Sequence, residues 1–120
     1  MNLKAVVDAL GLTVWAGERN LGVELRGGYV GDLMSDVIAN ARPGSLWLTV
    51  QGHLNVVAVV AMKELAGVVL VNGKRPEEQT LRRARDENLP LMGSRLSAYE
   101  LVGKLCAMGL SWRSGDAQGV

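Results

Sequence analysis

The stretch LWLTVQGHLNVVAVVAMKELAGVVLV, Leu46 to Val71, decides the fold. Leu46–Val50 is a nearly continuous apolar run of strand length, and Val68–Val71 is a second. Between them, about Leu54 to Leu65 reads as an apolar helix, and Gly67 divides helix from strand. Short apolar strands joined by a helical crossover form a parallel sheet buried on both faces. A membrane span over Leu54–Val71 is disfavoured, because Lys63 and Glu64 fall at its middle.

The same alternation extends outward. Leu3, Val6, Val7 and Leu10 have helical spacing, with Gly11 placed as a left-handed cap. Leu12–Ala16 reads as a strand and GERNLG as a turn. Val23–Val30 reads as extended, with Gly27 and Gly28 suggesting a bulge or close backbone approach. Leu33–Ala41 reads as a helix with Asp32 as its N-cap. Downstream, Pro76, Glu77 and Glu78 mark a helix start that runs to about Asn88. LPLM, Leu89–Met92, is a last strand, and Ser97 with Glu100 opens the final helix through a capping box. Gly109 closes that helix. The expected fold is α/β: a single compact domain over residues 1–110, with a short, mainly parallel sheet flanked by helices. Residues 111–120 read as a tail.

Composition narrows the function classes. Thirteen basic and twelve acidic residues leave a formal charge of +1, which disfavours non-specific nucleic-acid binding. One cysteine, Cys106, precludes an internal disulfide, and its apolar helical surroundings predict a buried thiol in a reducing cytoplasm. A metal site is not expected, since His53 is the single histidine. No secretory signal is visible in MNLKAVVDALG.

Ligands in open α/β sheets bind beyond the carboxyl ends of the strands. That rule gathers Asp32, then Gln51, Gly52, His53 and Asn55, then Asn72, Gly73 and Lys74, then Ser94, together with Gly31, Gly93 and Arg95. Amides, glycines and bases near helix starts suit a phosphate or carboxylate. The bland alternative is that these residues serve only as caps and turns, with Asn55 the N-cap of its helix. Catalytic patterns are missing: VNGKRP has a Gly-Lys pair without the preceding phosphate loop, and no nucleophile elbow occurs. No catalytic residue and no cofactor are therefore expected.

ELRGGYVGDLMSDVIANARPGSLWLTVQGHLNVVAVVAMKELAGVVLVNGKRP, with ENLPLMGSRLSAYELVGKL, resembles the DRTGG domain family over about residues 1–110. Glu24-Leu25-Arg26-Gly27-Gly28 keeps the two glycines and an acid of the name-giving motif, without its Arg-Thr pair in register. Gly31-Asp32-Leu33, Ser35-Asp36-Val37 and His53-Leu54-Asn55 look like the stand-alone members. The resemblance implies an α/β regulatory or dimerising module of the kind attached to phosphotransacetylases and CBS-domain pyrophosphatases. Lys74–Leu105 is also similar to the N-terminal domain of HPr kinase/phosphorylase and of Mur ligases, without a kinase P-loop beside it.

The expected function is a non-catalytic regulatory module that senses a nucleotide or other small anionic metabolite, or a signalling partner. The alternatives are a kinase-like or phosphoryl-transfer-associated enzyme subunit and a purely structural dimerisation domain. A homodimer is expected from the short valine-rich sheet edge and from Trp15, Trp47, Trp112 and Tyr29, for which a small domain has few interior places.

Overall fold

The computed structural model describes residues 1–111. Five strands form one sheet: β1 (Thr13–Ala16), β2 (Gly27–Val30), β3 (Ser45–Thr49), β4 (Gly67–Leu70) and β5 (Leu91–Gly93). Their order is β1-β5-β4-β3-β2. The pairs β2–β3, β3–β4 and β4–β5 are parallel, and only β1, beside β5, runs antiparallel. The helices are α1 (Leu3–Leu10), α2 (Met34–Asn40), α3 (Asn55–Met62), α4 (Glu78–Asp86) and α5 (Ala98–Ala107).

Alternation along each strand divides the core in two. Leu46, Leu48, Val69 and Met92 face α1 and α5, meeting Leu3, Val6, Leu101 and Leu105. Trp47, Val68, Leu70 and Leu91 face the other way, against Val37 of α2, Val56, Val57 and Val60 of α3, and Ala84 of α4. Two helices thus cover one face and three the other. All residues of β3 and β4 are buried, as their unbroken apolar sequences predict.

The helix ends obey local chemistry. Asn2 accepts a hydrogen bond from Ala5 N at 2.9 Å and starts α1, and Gly11 ends it at φ 62°. Ser97 and Glu100 form the complete capping box of α5. Pro76 lies ahead of α4 rather than within its first turn, with Glu77 at the cap position.

The structure revises several expectations. The extended stretch is divided: β2 holds Gly27–Val30, while Glu24 forms an isolated antiparallel bridge with Asn2, where Leu3 N donates to Val23 O and Leu25 N to Met1 O. No bulge occurs at Gly27 and Gly28, whose register with β3 is unbroken. The irregularity lies in β1, between Val14 and Ala16. Cys106 is exposed, because it lines the groove between β2 and α5 that the helix leaves open. Trp47 is wholly buried, and its indole N donates to Gly31 O at 2.8 Å, so it contributes nothing to the surface. Trp112 and the rest of the tail lie outside the described residues.

Candidate functional site

The parallel strands deliver the predicted residues to one edge of the sheet, but as three separate hydrogen-bonded groups. The first joins β2 to β3. Asp32 Oδ1 accepts from Thr49 Oγ1 at 2.7 Å and from Val50 N at 2.9 Å. Gln51 Nε2 donates to Asp32 O at 3.1 Å, and Gln51 N donates to Thr49 Oγ1 at 3.2 Å. Asp32 is therefore not the N-cap of α2, whose cap position is Leu33 without a side-chain bond. Its carboxylate instead finds a backbone N–H and a buried hydroxyl on the neighbouring strand, which the parallel pairing sets beside it.

The second group joins β3 to α4. Gly52 O accepts from Thr80 Oγ1 at 2.7 Å and from Glu77 N at 3.0 Å. A Cβ at Gly52 would stand 2.8 Å from Arg75 O, so glycine is required for this close crossing. Asn55 is not an N-cap either. It is the first residue of α3, and its N–H donates to His53 Nδ1 at 3.1 Å. The imidazole thus accepts one N–H of the first turn, while the cap position itself is Leu54 without a side-chain bond.

The third group joins β4 to β5. Asn72 N donates to Leu96 O and Gly73 N to Ser94 O, each at 2.9 Å. Asn72 and Gly73 both adopt left-handed backbone, at φ 58° and 68°, as such a tight exit from a strand demands. Ser94 Oγ accepts from Leu96 N at 3.1 Å and is turned to its own loop.

Chemically, these groups differ. Asp32, Gln51, Gly52 and Ser94 bind loops to one another. Lys74 and Arg75 in the loop after β4 and Arg95 after β5 are exposed, as are His53 and Asn55 at the start of α3. Neither Lys74, Arg75 nor Arg95 forms an ion pair with a described residue. Sequence reasoning missed Thr49, Arg75 and Thr80. Thr49 and Thr80 are isolated polar residues in apolar or helical contexts, and their partners lie on other elements.

Two further features lie outside this edge. Tyr29 Oη donates to Asp36 Oδ2, and Asn40 Nδ2 donates to Asp36 Oδ1 at 2.9 Å. That carboxylate, with some burial, holds the Tyr29 phenol above its ordinary range. An apolar groove of about 280 Å³ runs between β2 and α5, lined by none of the nine predicted site residues. Among the described residues, every buried side-chain nitrogen and oxygen has a hydrogen-bond partner.

No protein-family profile matches the sequence, and no curated protein does. The fold matches a crystal structure of the CBS and DRTGG domains of the regulatory region of Clostridium perfringens pyrophosphatase, complexed with its activator, diadenosine tetraphosphate. The TM-score is 0.66 at 12% sequence identity, covering 92% of this chain and 48% of that one. The chain thus spans about half the length of this structural relative. At such identity the likeness is one of fold. No helix among the described residues is long and apolar enough to cross a membrane.

Proposed function

We propose that this chain is a non-catalytic regulatory module of the DRTGG type, a cytoplasmic homodimer that senses a small anionic metabolite, a nucleotide foremost. The observation that carries the reading is the division of labour at the sheet edge. The carboxylate, hydroxyls and amide that could form a base–nucleophile pair are bound to neighbouring loops. The exposed cations Lys74, Arg75 and Arg95 have no described ionic partner. Such an edge attracts phosphate and offers it no attacking group. The regulatory role of the pyrophosphatase region sharing this fold supports the same reading, and that protein's activator supplies the first probe.

The test is thermal unfolding of the chain with diadenosine tetraphosphate, the adenine mono-, di- and triphosphates and inorganic pyrophosphate, with product analysis alongside. A bound ligand at a hundred times its Kd stabilises by about 2.7 kcal/mol. Stabilisation without turnover, lost in Lys74→Ala and Arg95→Ala, is the expected result. No shift with any probe overturns the sensing role. Turnover favours the phosphoryl-transfer-associated enzyme subunit instead.

A further inference from the structure

The crossing at Gly52 ties several loops together. The Gly52 carbonyl accepts twice, from Thr80 Oγ1 at 2.7 Å and from Glu77 N at 3.0 Å, so both of its lone pairs are committed to the start of α4. Its Cα faces the loop after β4, where a Cβ would stand 2.8 Å from Arg75 O and 3.3 Å from Pro76 Cα. The peptide unit between Gly52 and His53 is therefore held at its carbonyl by α4 and at its Cα by Arg75 and Pro76. On one side of it, Gln51 Nε2 donates to Asp32 O. On the other, His53 Nδ1 accepts from Asn55 N in the first turn of α3.

Thr80 is the side chain that completes this hold. It is the third residue of α4 and is wholly buried. Threonine forms helix less readily than alanine, and a buried hydroxyl costs free energy unless it is bonded. Within a helix a threonine hydroxyl commonly returns to a carbonyl three or four residues back. This one reaches across to Gly52, 28 residues earlier. A neutral hydrogen bond adds little net stability, so the consequence of this one lies in the geometry that it fixes.

From these observations we infer that Thr80 is a positioning residue: through Gly52 O it holds the β3–α3 loop, which carries His53, and the β4–α4 loop, which carries Lys74 and Arg75, as one unit. Without the hydroxyl, Gly52 O keeps the single bond from Glu77 N, and the peptide can turn about it. His53 and Lys74 are each one residue away from the contact of Gly52 with Arg75, so such a turn changes the spacing between imidazole and ammonium. The effect on anion binding rests on the sensing role proposed above, whereas the unit itself needs no ligand.

Hydrogen exchange of single amides tests the unit in the unliganded chain. Thr80→Val keeps the shape and removes the donor. It should speed exchange of the Glu77 amide, bonded to Gly52 O, and of the Asn55 amide, bonded to His53, each by about fivefold. Thr80→Ser, which keeps the hydroxyl, should return both amides to the parent's rates. Leu105→Ala, buried on the opposite face of the sheet, controls for general destabilisation and should leave both rates unchanged. Thr80→Ala replaces Thr80→Val should the latter fail to fold. With inorganic pyrophosphate as the probe, Thr80→Val should bind about fivefold more weakly than the parent, and Thr80→Ser equally well.

Faster exchange at Glu77 with Asn55 unmoved makes the two loops independent and overturns the unit. So does no change at either amide, an equal rise at both in Leu105→Ala, or a Thr80→Ser that exchanges as fast as Thr80→Val. Coupled exchange with unchanged pyrophosphate affinity overturns the positioning of the bases and leaves the unit standing. A parent that binds none of the phosphate probes overturns the sensing role, and the exchange rates still decide the unit.

Discussion

Asp32 distinguishes a strut from a ligand contact, and Asp32→Ala measures the difference. Its carboxylate holds Thr49 Oγ1 and Val50 N. Thr49 is 1% exposed, so its hydroxyl loses its acceptor where water cannot replace it. A hydrogen bond to a charged group contributes about 1.5–3 kcal/mol, and a stranded buried donor costs about 1–3 kcal/mol. Val50 N is half-buried, and water can take over there. The expected loss is therefore about 2–3 kcal/mol, which lowers Tm by about 10–15 °C in a domain of this size. Urea unfolding of Asp32→Ala, Thr49→Val and the double variant gives the coupling, expected to be about 1 kcal/mol or more. A loss below about 0.5 kcal/mol, or additive losses, would refute the strut. Asp32 would then be free to act as a ligand contact.

Other residues carry comparable expectations. His53→Ala should cost about 1 kcal/mol through the lost bond to the first turn of α3, while Asn55→Ala, measured by the same urea curves, should be nearly neutral. Gly93→Ala would drive a Cβ to 2.3 Å from the Trp15 ring. It should destabilise by about 1–3 kcal/mol, with a changed near-UV circular dichroism signal from the indole. Tyr29 binds its proton more tightly when folded than at its ordinary 10.0. The phenol's contribution is complete below that pH and is lost as pH rises through the folded value, so parent stability should fall more steeply above about pH 10 than that of Tyr29→Phe.

Much of the fold was legible because its signals are local. The runs at Leu46–Val50 and Val68–Val71 need no neighbour to announce burial on both faces, and both lie in the sheet interior. The Ser97–Glu100 box is likewise self-contained. Legibility ended where a residue's partner lies on another element. Asp32 precedes a helix, as an N-cap does, yet its acceptor is used by β3 because parallel pairing offers Thr49 and Val50 first. Asn55 looked like a cap, and its own N–H is instead bonded to the ring two residues earlier. Cys106 shares a helix with Leu101 and Leu105, but α5 leaves part of the β2–β3 surface uncovered, so its second apolar stripe has nothing to pack against. The strand-end rule groups residues by the strand that each one follows. It could not say which polar groups the loops would use among themselves.

The antiparallel partnership of β1 with β5 sets a timetable. Thr13 pairs with Gly93, and Trp15 covers Gly93, so a strand near one end of the chain finds its neighbour about eighty residues later. On a ribosome adding about 5–20 residues per second, that is a wait of about 4–16 s. Throughout it β1 has no strand to pair with, while β2, β3 and β4 can already assemble in sequence. Pairings of such long reach form slowly and expose their strands to wrong partners meanwhile. Assembly in chain order thus runs across the sheet from the β2 edge, and the antiparallel strand can join only last, which makes the β1–β5 seam the place where synthesis rate and misassembly meet.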